Sequence, residues 1–311
     1  NEELVKFVVN EVKHYKYLLG YYIWDEVTPN KFATCRTIKE YFNKYDPTRL
    51  AFSLVFPSYG EYKWGSSIED SPYYNYVSDY IKEVNPDVLS MDYYALKSAN
   101  SSIIKSDLWR DMGLFRLKSI ETGKPFWWYF QGYDMADGTV GHMTRAKLAV
   151  QMYSGIAYGA KTVSYFQSLG ALTTEFGEKT SLYDDAKALH VEVKNVGNLM
   201  FDKKSLYIYH FGLNDKLNKL YFLDDISQSK YIMGAPNNTI VSIFGDSGNA
   251  KYIMVVNKDH SNPVRGNLSF KSEFDVDGYD KKNNTFKRIF DNALSVFMEI
   301  GPGDCMVYKI S

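Results

Sequence analysis

Five short apolar runs, at 18–26, 50–56, 88–94, 125–131 and 162–167, recur through the first two hundred residues, each followed by a stretch with helical spacing. Each run is too short for a helix and apolar throughout, as a strand buried on both faces must be. The helical stretches are legible from their stripes. Leu4, Phe7, Val8 and Val12 precede the first run; Phe32, Cys35, Ile38 and Phe42 follow Pro29; Tyr73, Tyr76, Val77, Tyr80, Ile81 and Val84 follow Pro72. Leu108, Met112 and Phe115, then 142–158, then Leu189, Val193, Val196 and Met200 continue the alternation. Strands that alternate with helices predict a parallel sheet, and right-handed crossovers place every strand-to-helix loop on one face of it.

Beyond residue 203 the texture changes. Strand-like runs at 206–209, 219–222, 239–243, 252–256, 267–270, 285–289 and 305–310 are separated by Gly, Asn, Asp and Pro turns. That pattern predicts a separate all-β domain, so the chain divides into residues 1–203 and 204–311.

The first run ends abruptly in Trp24-Asp25-Glu26, followed by Thr28 and Pro29, which suit a cap and the first position of a helix. Two adjacent carboxylates therefore stand where a buried strand hands over to a helix, the place where α/β proteins put their chemistry. Acids also open helices for purely electrostatic reasons. Composition narrows the chemistry. A net charge of -1 gives no reason to expect nucleic acid or an anionic membrane as partner. At 16% aromatic, with 27 Tyr and 5 Trp, the chain is rich in rings with polar tips, which line carbohydrate sites well, although many of them simply fill core and surface. Cys35 and Cys305 imply neither a disulfide framework nor a cysteine metal site, and His14, His142, His190, His210 and His260 show no ligand spacing. No metal or cofactor is expected. Nor does any apolar run reach membrane-spanning length.

Several phrases together carry a resemblance. Gly20-Tyr21-Tyr22-Ile23-Trp24-Asp25-Glu26, then Leu89-Ser90-Met91-Asp92-Tyr93-Tyr94, then Gly123-Lys124-Pro125-Phe126-Trp127, and the stretch from Gln151 to Lys161 before Tyr165-Phe166 resemble the second half of a glycoside-hydrolase (β/α)8 barrel. The clan is the one that includes family 42 β-galactosidases and their uncharacterised bacterial relatives. The resemblance implies that the five runs are barrel strands 4 to 8, that strands 1 to 3 belong to an upstream segment, and that residues 204–311 form a trailing β-sandwich. It also implies a secreted or cell-surface bacterial protein, although the chain itself does not determine the compartment.

In that clan the acid ending strand 4 is the general acid/base, which puts the role on Glu26. Chemistry supports the assignment: a glycosidic oxygen is a poor leaving group, and a carboxylic acid kept protonated in an aromatic pocket can donate to it. The chain departs from the clan in two places. Asp25 stands where Asn is usual, and Gln131, which cannot attack, stands where strand 7 should end in a nucleophilic Glu. A second carboxylate could come from Asp92 or Glu175, about 5 Å from Glu26 for retention or roughly 6.5 to 9.5 Å for inversion. Alternatively, Asp25 and Glu26 work as a pair, similar to hexosaminidases of families 20 and 123, where the Asp orients the substrate's own 2-acetamido group as nucleophile. A barrel that binds glycan without cleaving it is the third reading. Trp24, Tyr22, Tyr93, Tyr94, Trp64, Tyr129, Gln131 and Tyr165 are the residues expected to contact sugar, while Glu61, Asp134, Asp137 and Glu178 read as solvated loop acids.

Overall fold

The computed structural model describes residues 1–60, 72–96, 107–133, 142–213, 219, 221–246 and 249–311. Glu61, Trp64, Asp134 and Asp137 therefore lie outside the described residues. The chain separates into two compact units. One comprises Asn1–Asp92 with Leu117–Trp128, the other Tyr93–Arg116 with Tyr129–Ser311.

In the first unit, α1 (Glu2–Val12) starts at Asn1, whose side chain accepts the Glu3 amide N–H at 3.0 Å and satisfies one of the free donors of a helix start. Strand β1 (Gly20–Trp24) pairs in parallel with β2 (Leu50–Ser53), and α2 (Phe32–Tyr45) is the crossover between them. Pleating sorts the side chains. Tyr21 and Ile23 of β1 and Ala51 of β2 pack with Val5, Val9 and Phe42 of the helices, so Tyr22 and its partner Phe52 belong to the opposite face. A Cβ on Gly20 would lie 2.4 Å from the Leu50 carbonyl oxygen, so the two strands can start this close only with glycine there. Helix α3 (Pro72–Val84) buries Tyr73, Tyr76 and Tyr80, and the Tyr80 hydroxyl is 2.8 Å from Ser53 Oγ. Beyond β2, Val55 bridges in parallel to Met91 of β3 (Leu89–Tyr93), and the Leu89 N–H donates to the Pro125 carbonyl at the entry of β4 (Phe126–Phe130).

Helix α4 (Asp107–Thr122) joins β3 to β4. In the second unit the Phe130 carbonyl ending β4 accepts the Phe166 N–H at 3.0 Å, just past β5 (Thr162–Tyr165). Helix α5 (Arg145–Ala157), capped by Thr144, is buried around its whole circumference, and α6 (Tyr183–Met200) buries Leu189, Val193, Val196 and Met200. Seven strands then build one antiparallel sheet: β6 (Lys204–His210), β7 (Ile232–Gly234), β8 (Thr239–Asp246), β9 (Asn249–Asn257), β10 (Val264–Asp280), β11 (Thr285–Ile300) and β12 (Cys305–Ile310). Their order is β11-β10-β12-β9-β8-β6, with β7 added on β10. Strands β8 and β9 are apolar on both faces because Val241, Ile243, Ile253 and Val255 join the sheet's own core while the strands also contact α5. The turn before β12 lies on α5 as well: a Cβ on Gly303 (φ +66°) would meet the Ala146 carbonyl oxygen at 2.2 Å.

The chain is thus mixed α/β, with parallel pairing early and a large antiparallel sheet after Lys204. One strand expectation is corrected. Of residues 219–222, the described Lys219, Tyr221 and Phe222 are not in a strand: the Phe222 N–H turns back to the Lys219 carbonyl at 3.2 Å, Phe222 has φ +55°, and Asp224 then reaches β6 through Ile208. Among the described residues no helix is long and apolar enough to cross a membrane.

One buried cation bears on stability. Lys258, just past β9, is buried and donates to the Phe211 carbonyl at 3.0 Å, and burial pushes its ammonium down to about 7 from the ordinary 10.5. Between those two values the unfolded chain holds a proton that the folded chain lacks, so stability rises with pH across that window. Melting temperatures measured from pH 7 to pH 10 should climb more in the parent than in Lys258→Met. Parallel curves would show that Lys258 is charged when folded.

Candidate active site

The acids at the end of β1 sit on a backbone protrusion. Leu54 bonds on both sides of it: the Leu54 N–H donates to the Trp24 carbonyl at 3.0 Å, and the Leu54 carbonyl accepts the Val27 N–H at 3.2 Å. Asp25 and Glu26 are looped out between these two bonds, just past the register shift between Tyr22 and Trp24. Glu26 takes φ +47°, a left-handed conformation that costs a side chain with a Cβ about 1–2 kcal/mol. Strain of this kind persists where the surroundings over-determine it, and it collects at functional sites.

The neighbours of this protrusion are aromatic. Tyr22 donates its hydroxyl to Asp25 Oδ1 at 2.5 Å, which fixes the carboxylate beside Glu26. The Tyr22 ring lies 5.5 Å from Phe52, and Phe52 meets the edge of Trp127 at 5.2 Å. A row of rings thus runs over β1, β2 and β4 on the face turned away from α1 and α2. Asp25 is exposed, Trp24 and Glu26 are half-buried, and Asp92 on β3 is buried. Phe52 and Trp127 were not among the expected sugar contacts, although alternation in 50–56 puts Phe52 opposite Ala51 and so beside Tyr22.

The remaining expected residues belong to the second unit. Gln131 is buried at the end of β4, where its Oε1 accepts the Leu96 N–H at 3.3 Å and its backbone is held on both sides by the Gln151 side chain. Tyr93 is buried, and Tyr129 is half-buried with its hydroxyl pushed up by burial. Tyr94 packs against Tyr133 and Phe166 at 5.7 and 5.2 Å. The Tyr165 hydroxyl is 2.7 Å from His190 Nε2 on α6, which turns it toward the helix layer. Glu175 is exposed in a turn closed by the Gly177 N–H on the Thr174 carbonyl. Chemically, the first unit offers a fixed carboxylate and a partly sheltered one side by side, next to aromatic faces.

No protein-family model matches this chain, and no curated protein matches it by sequence. Solved structures match it by fold. An α-amylase from Anoxybacillus, reported as giving insight into a new glycosyl hydrolase subclass, aligns with a TM-score of 0.50 at 11% identity, over 100% of this chain and 62% of its own. A family 39 glycoside hydrolase from the gut symbiont Bacteroides cellulosilyticus WH2 aligns at 0.48 and 10% identity, over 100% of this chain and 60% of its own. The chain spans about three fifths of the length of these proteins. At such identities the likeness concerns the fold. Family 42 is not singled out by it.

Proposed function

We propose that this chain is part of a glycoside hydrolase acting on O-glycosidic bonds of an oligo- or polysaccharide, with Glu26 as general acid/base. Residues 1–203 supply strands 4 to 8 of a (β/α)8 barrel in this reading, and residues 204–311 a β-sandwich. The observation that carries it is the protrusion after β1, where Glu26 is held at φ +47° next to an Asp25 carboxylate fixed by Tyr22.

In this reading Asp25, next to Glu26 in the chain and hydrogen-bonded by Tyr22, is the partner. In the first step the acetamido carbonyl oxygen of the substrate attacks the anomeric carbon, Asp25 accepts the acetamido N–H, and the bond to the leaving oxygen breaks as Glu26 gives it a proton. Water then attacks the same carbon, returning its proton to Glu26 and releasing the acetamido group. Tyr22 keeps Asp25 aimed, and Trp24 borders the sugar. The test compares 4-nitrophenyl 2-acetamido-2-deoxyglycosides with 4-nitrophenyl glucosides and galactosides. Asp25→Asn should slow the former by about 10²- to 10³-fold, the range for losing one charge-stabilising group, and a thiazoline mimic should inhibit. Rapid cleavage of glycosides without an acetamido group would exclude this partner, and a fluorosugar would then label Asp92 or Glu175.

Gln131 supports a second reading, a glycan-binding protein without turnover. At the end of β4 its amide oxygen accepts the Leu96 N–H, and an amide is no nucleophile. Calorimetric binding of an oligosaccharide that is recovered uncut would favour it.

A further inference from the structure

A buried hydroxyl stands directly behind the Glu26 protrusion. Tyr76, on the buried face of α3, accepts the Phe56 N–H at 3.1 Å and donates to the Val27 carbonyl at 2.7 Å. It therefore ties the loop after β1 to the loop after β2. Val27 is consequently held at both of its peptide groups, by Leu54 through its N–H and by Tyr76 through its carbonyl, with its side chain fully buried. Glu26 precedes this anchor and cannot relax out of the left-handed region while Val27 stays fixed. The Tyr76 ring is itself set by Phe32 at 5.7 Å and Tyr73 at 6.1 Å, so the hydroxyl has little freedom to follow a moving partner.

We infer that Tyr76 is a positioning residue whose hydroxyl holds the Glu26 backbone in its left-handed conformation and so aims the Glu26 carboxyl. The inference rests on the proposed role of Glu26 for its catalytic consequence, but its structural half stands apart from activity. The chain contains its own control. Tyr73, one turn earlier on the same helix, donates to the Phe56 carbonyl at 2.9 Å, so it bonds the second loop and not Val27. Both substitutions keep the ring; Tyr73→Phe deletes the bond to the Phe56 carbonyl, and Tyr76→Phe deletes those to the Phe56 N–H and the Val27 carbonyl. Only one of the two touches the anchor of Glu26.

The experiment pairs Tyr76→Phe with Tyr73→Phe in the full chain. Hydrogen exchange at the Val27 amide should speed up at least tenfold in Tyr76→Phe relative to Tyr73→Phe once both are corrected for global stability, and a crystal structure should show Glu26 leaving positive φ. Equal exchange with Glu26 unmoved would overturn the inference, whether or not the protein cleaves anything. On whichever 4-nitrophenyl glycoside the parent cleaves, kcat should fall at least tenfold in Tyr76→Phe with KM nearly constant, and by less than threefold in Tyr73→Phe. Less loss should appear on the 2,4-dinitrophenyl glycoside, which needs little protonation. Equal kinetic losses in both variants would reduce Tyr76 to a packing residue. A parent that cleaves none of these glycosides, or a Glu26→Gln variant that loses nothing, would instead count against the role of Glu26 and leave the exchange result to judge Tyr76.

Discussion

Glu26→Gln should slow hydrolysis of glycosides with poor leaving groups by about 10²- to 10⁴-fold, the usual worth of a general acid. The amide keeps the size of the side chain and its capacity to hydrogen-bond, so binding should persist and the loss should fall on kcat. Aryl glycosides with acidic phenols leave without help and should lose far less. This graded response separates a missing proton donor from a damaged fold, because misfolding would depress every substrate alike. The variant keeps the left-handed backbone at residue 26, so its melting temperature should stay close to the parent's.

The second large effect concerns the second unit. Glu192 of α6 is buried, accepts from Arg145 Nη2 at 2.9 Å and from the Tyr153 hydroxyl at 3.3 Å, and lies 3.5 Å from Lys281 Nζ at the end of the β10–β11 hairpin. Lys281 also pairs with Asp304, donates to the Cys305 carbonyl at 3.2 Å and sits 4.8 Å over the Tyr153 ring. One carboxylate thus joins two helices to the sheet. Glu192→Gln takes the carboxylate from the partly exposed Arg145 and leaves Lys281 with Asp304 alone, and breaking a buried pair from one side typically costs about 3–5 kcal/mol. Equilibrium denaturation should show a loss of that order. Glu192→Leu combined with Lys281→Met should recover only a small part of it, since Arg145 and Asp304 then lose their own partners. A loss below about 1 kcal/mol for Glu192→Gln would place the pair among weak, solvent-screened ones.

The strand ending in Trp24-Asp25-Glu26 was legible because two signals coincide there, an apolar run and an abrupt pair of acids. Helix α3 was legible from the spacing of Tyr73, Tyr76 and Tyr80, and β12 from an unbroken run bounded by a Gly-Pro-Gly turn. The left-handed Glu26 was not legible: glutamate has no preference for that region, and the conformation comes from Leu54 and Tyr76, which lie far along the chain. Helical spacing reported that Tyr76 is buried but not where its hydroxyl goes. Strands β10 and β11 run well beyond the expected 267–270 and 285–289, through Lys271, Ser272, Glu273 and Asp275 and through Asp291 and Asn292, residues that read as turn composition. Pairing between the two strands, including Asp277 opposite Arg288, extends them regardless of propensity. The expected run at 219–222 misled in the opposite sense, since the aromatic content of Tyr221 and Phe222 does not separate a strand from a turn.

The central claim is that Glu26 works as a proton donor, and the pH dependence of kcat/KM on an unactivated phenyl glycoside, whose leaving oxygen needs a proton, tests it most directly. The parent should lose activity at high pH as the essential acid ionises in the free enzyme, and Glu26→Gln should show a much lower rate with that basic limb gone. An unchanged basic limb in Glu26→Gln would contradict the account and assign the proton to another group.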